Sequence, residues 1–146
     1  MLVKVLPNQV CDHWDVVSYG IQQSLPPITI ESPRRMNNIL ESLLLGRMVL
    51  WIGVEDNKVQ GLLVTAFSYD KNSDVQDLLI YSIYGFEDLS TKLVVDGMDT
   101  LKKFAVSNGC RRITAYSKIK AVIDMMKRFG SEEYSYLSIP ANGEIK

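Results

Sequence analysis

The stretch FAVSNGCRRITAY at Phe104–Tyr116, followed by MMKRFG at Met125–Gly130, decides how this chain is read. Leu93 or Val94, Met98, Leu101, Phe104 and Ala105 recur at helical spacing, and Asn108 and Gly109 then stop the helix. Ser90 is a suitable N-cap for it, because its hydroxyl can accept from an amide of the first turn. Beyond the stop, Arg111 to Tyr116 is predicted as a strand and Ile119 to Phe129 as a helix with Val122, Ile123 and Met126 on one face. Tyr134 to Ile139 is predicted as a final strand.

Upstream the period changes. Met48 to Val54 is rich in Val, Ile and Trp, and Glu55-Asp56-Asn57-Lys58 is a polar turn into a second arm, Val59 to Ser68. A further polar break, Tyr69 to Asp74, precedes Val75 to Tyr84, which predicts a three-stranded antiparallel meander. At the N-terminus Leu2 to Leu6 reads as a short strand closed by Pro7 and Asn8. A helix capped by Asp12 then carries Trp14, Val17, Ile21 and Leu25 until Pro26 and Pro27. A second starts at Ser32-Pro33 and presents Met36, Ile39, Leu40, Leu43 and Leu44 before Gly46.

The chain has 146 residues, a length that suits one domain spanning 1–146. With 47% apolar and 23% charged residues it is neither disordered nor fibrous. The longest apolar run, Met48 to Val54, is far short of the roughly 20 residues of a membrane-spanning helix. The N-terminus has no apolar core of the secretory kind, so a cytoplasmic protein is expected. Cys11 and Cys110 form no disulfide framework and are read as free thiols, Cys110 buried. The one histidine, His13, has Cys11, Asp12 and Asp15 nearby but no second cluster, so no metal site is expected and His13 is read as an exposed helix residue.

The order strand, helix, helix, three-strand meander, helix, strand, helix, strand resembles that of the GNAT superfamily of N-acetyltransferases over nearly the whole chain. The resemblance implies an α+β (α/β) fold with a mixed, mostly antiparallel sheet of about six strands flanked by four helices. It also implies acetyl-CoA as the acyl donor, with a Q/R-x-x-G-x-G/A turn after the fourth strand, where backbone amides approach the pyrophosphate because side chains are tiny. In this sequence the motif positions fall near Leu89, Lys92 and Val94, and Gly85 is the only glycine between Gly61 and Gly97. Many relatives carry a proton-donating tyrosine four residues before the glycine that closes the penultimate helix; Met126 stands there, and Ser131 replaces the aromatic that often follows. If CoA is bound, its contacts are expected at Ser82, Tyr84, Ser90, Thr91 and Lys92. No catalytic acid or base is assigned. Asp77 is read as a solvent-facing strand residue and Tyr81 and Tyr84 as half-buried strand aromatics.

Between Leu101 and Gly130 the chain carries Lys102, Lys103, Arg111, Arg112, Lys118, Lys120, Lys127 and Arg128 against the single acid Asp124, although its formal charge overall is -1. Either these are solvated faces or they form a patch for an acidic surface; a nucleic-acid role has little aromatic support beyond Phe104, Tyr116 and Phe129. Two functions follow. One is acetyl transfer to an amine through a thioester polarised by a main-chain amide of the splayed fourth strand, as the resemblance implies. The other, favoured here, is a degenerate, non-catalytic module with no cofactor, acting as a structural or adaptor component through a protein partner or as a homo-oligomer. The ending KRFGSEEYSYLSI is similar to that of small GNAT-like virion proteins of short-tailed bacteriophages, which would make the protein virion-associated. The final strand, as an exposed edge, is the expected site of pairing between copies.

Overall fold

The structure, a computed structural model, describes residues 1–143. It divides into two units, Met1–Tyr116 and Ser117–Lys146.

The first unit is organised around one sheet of five strands, β1 (Leu2–Val5), β2 (Met48–Glu55), β3 (Lys58–Asp70), β4 (Val75–Gly85) and β5 (Cys110–Ala115), lying side by side in chain order. The first four run antiparallel and β5 runs parallel to β4. The meander is closed by tight polar turns. Asp56 and Asn57 have φ of 53° and 60°, the left-handed pair that a two-residue hairpin with native twist requires, and Asp and Asn tolerate it better than most residues. A parallel neighbour needs a crossover, which is the helix α4 (Thr91–Ser107).

Four helical pieces precede the meander in this unit. α1 (Pro7–Val10), a 3₁₀ turn at Cys11–His13, α2 (Trp14–Gln23) and α3 (Arg35–Leu44) cover one face of the sheet. Their contact is the core of Val10, Val17, Ile21, Ile39 and Leu43 against Leu50, Leu62 and Val64. At Gly20 an added Cβ would stand 2.7 Å from Leu62 Cδ2, so α2 lies hard on β3. α4 covers the opposite face, burying Leu93, Met98, Leu101 and Ala105. Phe104 meets Trp51 edge-on at 5.0 Å and stacks on Phe67 at 6.0 Å, and the Trp51 indole N–H donates to the buried Thr65 hydroxyl at 3.0 Å. Both buried polar groups of that pair are thereby satisfied.

The helix ends explain several expectations and correct others. Ser90 caps α4 as expected, its Oγ accepting from Leu93 N at 3.1 Å, and Gly109 ends the turn beyond it with φ +74°. Pro7 starts α1 instead of a turn: proline lacks only an amide that the first helical position leaves unused. Asp12 lies inside the 3₁₀ turn and is no cap. Ser32 holds the turn before α3, accepting from the Arg34 amide at 3.3 Å, and the helix itself begins at Arg35. Leu44 is 41% exposed, outside the stripe of Met36, Ile39, Leu40 and Leu43.

The second unit contains α5 (Lys120–Arg128). Its C-terminus is a double cap: Gly130, at φ +88°, donates to Lys127 O at 3.0 Å and Ser131 donates to Met126 O at 3.2 Å. The segment 131–140 has no regular structure, and Leu137 and Ile139 are 88% and 90% exposed. The expected final strand over Tyr134–Ile139 is therefore absent and the sheet has five strands, not six. Alternating apolar residues give a segment the propensity for a strand, but the strand state also needs a ladder, and no described strand pairs with this one.

Two substitutions separate packing from capping on α4. Leu101→Ala, at a residue 2% exposed, should lower folding stability by about 2–5 kcal/mol, and Ser90→Ala by about 1 kcal/mol. Urea midpoints at unchanged slope measure both, and a larger loss from Ser90→Ala would contradict this account of α4.

Candidate functional site: the bulge of β4 and the start of α4

The register of β4 changes in its middle. Val64 faces Ser82 but Thr65 faces Ile80, which leaves Tyr81 as the extra residue of a β-bulge. On its other side β4 pairs with β5 only as far as Ile80 opposite Ala115, where β5 ends. Ser82 to Gly85 therefore pair with β3 alone among the described strands. The result is a strand kinked and opened at one point, with its outer edge left to other uses.

The loop after β4 folds back onto the neighbouring strand. Gln60 is itself a bulge residue, lying between the pairs Gly53–Gly61 and Val54–Val59, and its carbonyl accepts from the amides of Phe86 at 2.9 Å and Glu87 at 3.4 Å. Gly85 has no room for a side chain because an added Cβ would stand 2.8 Å from the Glu87 carbonyl. At Gly61 it would stand 2.7 Å from the Tyr84 carbonyl and 3.3 Å from Leu89 Cδ2. Both glycines serve the chain's own close approach. At the start of α4 the Ser90 hydroxyl, already accepting from Leu93, donates to Glu55 Oε2 at 2.7 Å. A carboxylate thus sits at the positive end of the helix, a favourable place for a negative group. A pyrophosphate brought to this end would meet Glu55 and a Leu89 side chain.

The five residues expected at a cofactor lie on two sides of the sheet. Ser82 is 2% exposed and shares the face of Val64, towards α1–α3. Tyr84 packs against the same core and meets Tyr19 and Phe86 edge-on at 6.1 and 5.4 Å. Ser90, Thr91 and Lys92 begin α4, which covers the other face; Thr91 and Lys92 are exposed. Sequence reasoning saw Glu55 only as part of a turn, and Arg35 not at all. Nothing in local spacing brings Glu55 to Ser90, 35 positions on.

Asp77 is corrected. It is not solvent-facing but 13% exposed, and it receives a two-point fork from Arg112, Nε at 3.1 Å and the terminal nitrogen at 2.7 Å, across β4 and β5. The basic segment is also less naked than its sequence. Lys103 pairs with Asp99, Arg112 with Asp77, Lys120 with Asp124 and Lys127 with Glu133, at 2.7–3.0 Å. Such pairs are worth little each where exposed, and each sets an acid beside one base of the segment. His13 and Cys11 are exposed and Cys110 is buried, and no group of three or more His, Cys, Asp or Glu suited to a metal occurs among the described residues. No helix among them is long and apolar enough to cross a membrane.

Burial holds the Tyr81 phenol above its ordinary value, opposed by the charge of Arg35; burial and the Tyr19 hydroxyl raise Tyr84. A raised phenol stabilises the fold at pH below its unfolded value, about 10, and that contribution is lost as pH rises through the folded value. Stability should therefore fall above about pH 10, and Tyr81→Phe should make the fall shallower, with Tyr84, Tyr69 and Lys127, all raised, supplying the remainder. Urea midpoints taken on either side of that pH measure it, and an identical fall in Tyr81→Phe would remove Tyr81 from the account.

No family model matches the sequence, and a search of curated proteins finds no match. Solved structures do. The chain is similar to a predicted acetyltransferase from Clostridium acetobutylicum solved with acetyl-CoA, at 14% identity and a TM-score of 0.71 over 96% of this chain and 95% of that one. It is similar to a probable acetyltransferase at 16% identity and a TM-score of 0.68, over 99% of each chain. A GNAT family acetyltransferase of Staphylococcus aureus matches at 11% identity and a TM-score of 0.65, over 96% of each. At such identities the likeness is one of architecture, and it agrees with the order of elements: this chain has the fold of the GNAT acetyltransferases.

Proposed function

We propose that this protein is a catalytically degenerate GNAT-fold module that works as a structural or adaptor component, of the kind carried in the virions of short-tailed bacteriophages. The observation that supports this most is the occupied start of α4. A pyrophosphate site there needs amides that point outward, glycines that let the phosphates approach, and no competing negative charge. In this chain Ser90 and Glu55 share the first turn, the loop amides of Phe86 and Glu87 are spent on Gln60, and Gly61 and Gly85 are filled by the chain's own carbonyls and Leu89. Met126, where many enzymes of this fold place a tyrosine, has no proton to donate and lends its carbonyl to the cap of α5. On this reading the protein acts through a protein partner or through copies of itself, and no cofactor is bound.

The second reading, an acetyl-CoA-dependent N-acetyltransferase on an amine, has one observation in its favour. The bulge at Tyr81 and the early end of β5 leave a one-sided strand end, and a main-chain amide there needs only geometry to polarise a thioester carbonyl.

Isothermal titration of acetyl-CoA, with CoA as the control, tests the two. The degenerate reading expects no heat of binding for the unaltered protein. Micromolar binding would overturn it. Because the carboxylate is one part of the obstruction, Glu55→Gln should bring measurable but weak CoA binding, and a variant as silent as the parent would place the block in Leu89 and the loop.

A further inference from the structure

Where α2 meets the end of β4, a row of aromatic rings stands partly in water. Tyr84 meets Tyr19 edge-on, at 6.1 Å and 88°, and Phe86 edge-on, at 5.4 Å and 87°. An edge-on pair covers at most one face of one ring, so these rings are joined without being closed off: Tyr19 is 53% exposed and Phe86 37%. Val16, also exposed, stands one turn before Tyr19 on the same side of α2. A lone exposed apolar side chain needs no explanation, but a patch running from Val16 through Tyr19 and Tyr84 to Phe86 does.

The sequence around this patch carries charge of one sign. Neither 5–33, which contains α2, nor 72–91, which contains the end of β4, has a Lys or Arg, and the Tyr19–Tyr84 contact brings the two stretches together. Asp15 lies four residues before Tyr19 on α2, and Glu87 directly follows Phe86. Both acids are exposed, and neither takes part in the ion pairs found among the described residues.

We propose that Val16, Tyr19, Tyr84 and Phe86, rimmed by Asp15 and Glu87, form a docking surface for an arginine-bearing segment of a protein partner. The chemistry selects the partner. A guanidinium is planar and weakly hydrated, so it stacks on an aromatic face and still offers its fork of donors to a carboxylate at the rim. Aromatic centres with polar rims are the anatomy of protein interfaces. The two acids work against an acidic partner and against the phosphates of nucleic acid or a lipid surface. This inference rests on the adaptor reading and gives its partner a chemical class.

Amide-resolved NMR titration of the intact protein tests it, with the peptide acetyl-Arg-Leu-Arg-Leu-Arg-amide as the probe and acetyl-Glu-Leu-Glu-Leu-Glu-amide as the control. The arginine peptide should shift the Tyr19, Tyr84 and Phe86 amides saturably, and the glutamate peptide should not. Tyr19→Ala, at an exposed helix position, should weaken binding about tenfold, and Asp15→Asn by about two- to threefold with a shallower dependence on salt. If Tyr19→Ala does not fold, Phe86→Ala gives the same readout. No saturable shift, shifts that the glutamate peptide reproduces, or folded Tyr19 and Phe86 variants that bind as tightly as the parent would overturn the proposal. So would movement of the same amides on diluting the protein alone, with a doubled mass by light scattering, because a second copy would then occupy the patch. Acetyl-CoA does not enter this titration: a silent peptide removes the surface and leaves the adaptor reading standing, whereas micromolar acetyl-CoA binding ends that reading separately.

Discussion

A sheet covered on both faces must bury every side chain of its central strand, and β3 carries that constraint for this protein. Gly61, Leu62, Leu63, Val64 and Thr65 are all buried in succession, with no polar side for the strand to show to water. Leu62 and Val64 point to α1–α3, and Thr65 points to α4, where it takes the Trp51 indole. Remove either cover and a strip of β3 is left in water; each buried Leu or Val is worth about 1.5–3 kcal/mol relative to exposure. The helices are therefore not ornaments on a self-sufficient meander. The N-terminal helices and α4 hold the same strand from opposite sides, and each is needed for the other's packing to be useful.

Two bulges shape one end of this sheet. The one at Gln60 in β3 turns a carbonyl towards the loop after β4, and the one at Tyr81 in β4 marks where β5 stops following. Together they open a strand edge and then partly close it again with the chain's own backbone. The bulged end of β4 stays one-sided, while the side chains around α4 are those of a capped and packed helix.

The architecture was readable in advance because it rests on local chemistry. Ser90 and Gly109 mark α4, the Asp56–Asn57 turn marks the hairpin, and the change from period two to helical spacing after Gly85 marks the crossover. Where local chemistry has two outcomes, reading failed. Proline is compatible with a turn or with a first helical position, and Pro7 takes the second. Tyr134 to Ile139 alternates like a strand, yet a strand is a relation between two segments, and one segment cannot specify it. The site was readable only in part for the same reason. Ser90 could be placed from its neighbours, but its pairing with Glu55 and the Asp77–Arg112 fork join positions 35 apart, and no spacing rule connects them.

The Glu55–Ser90 contact also has a consequence in terms of concentration. A carboxylate fixed by the β2–β3 hairpin at the end of α4 is a ligand that never diffuses away, and tethered groups act at effective concentrations in the millimolar range or above. Any free anion arriving at that helix competes with this internal one, and its apparent affinity is divided by the advantage the tether confers. A hairpin on a different strand thus keeps a carboxylate permanently beside this helix end, held through the Ser90 hydroxyl.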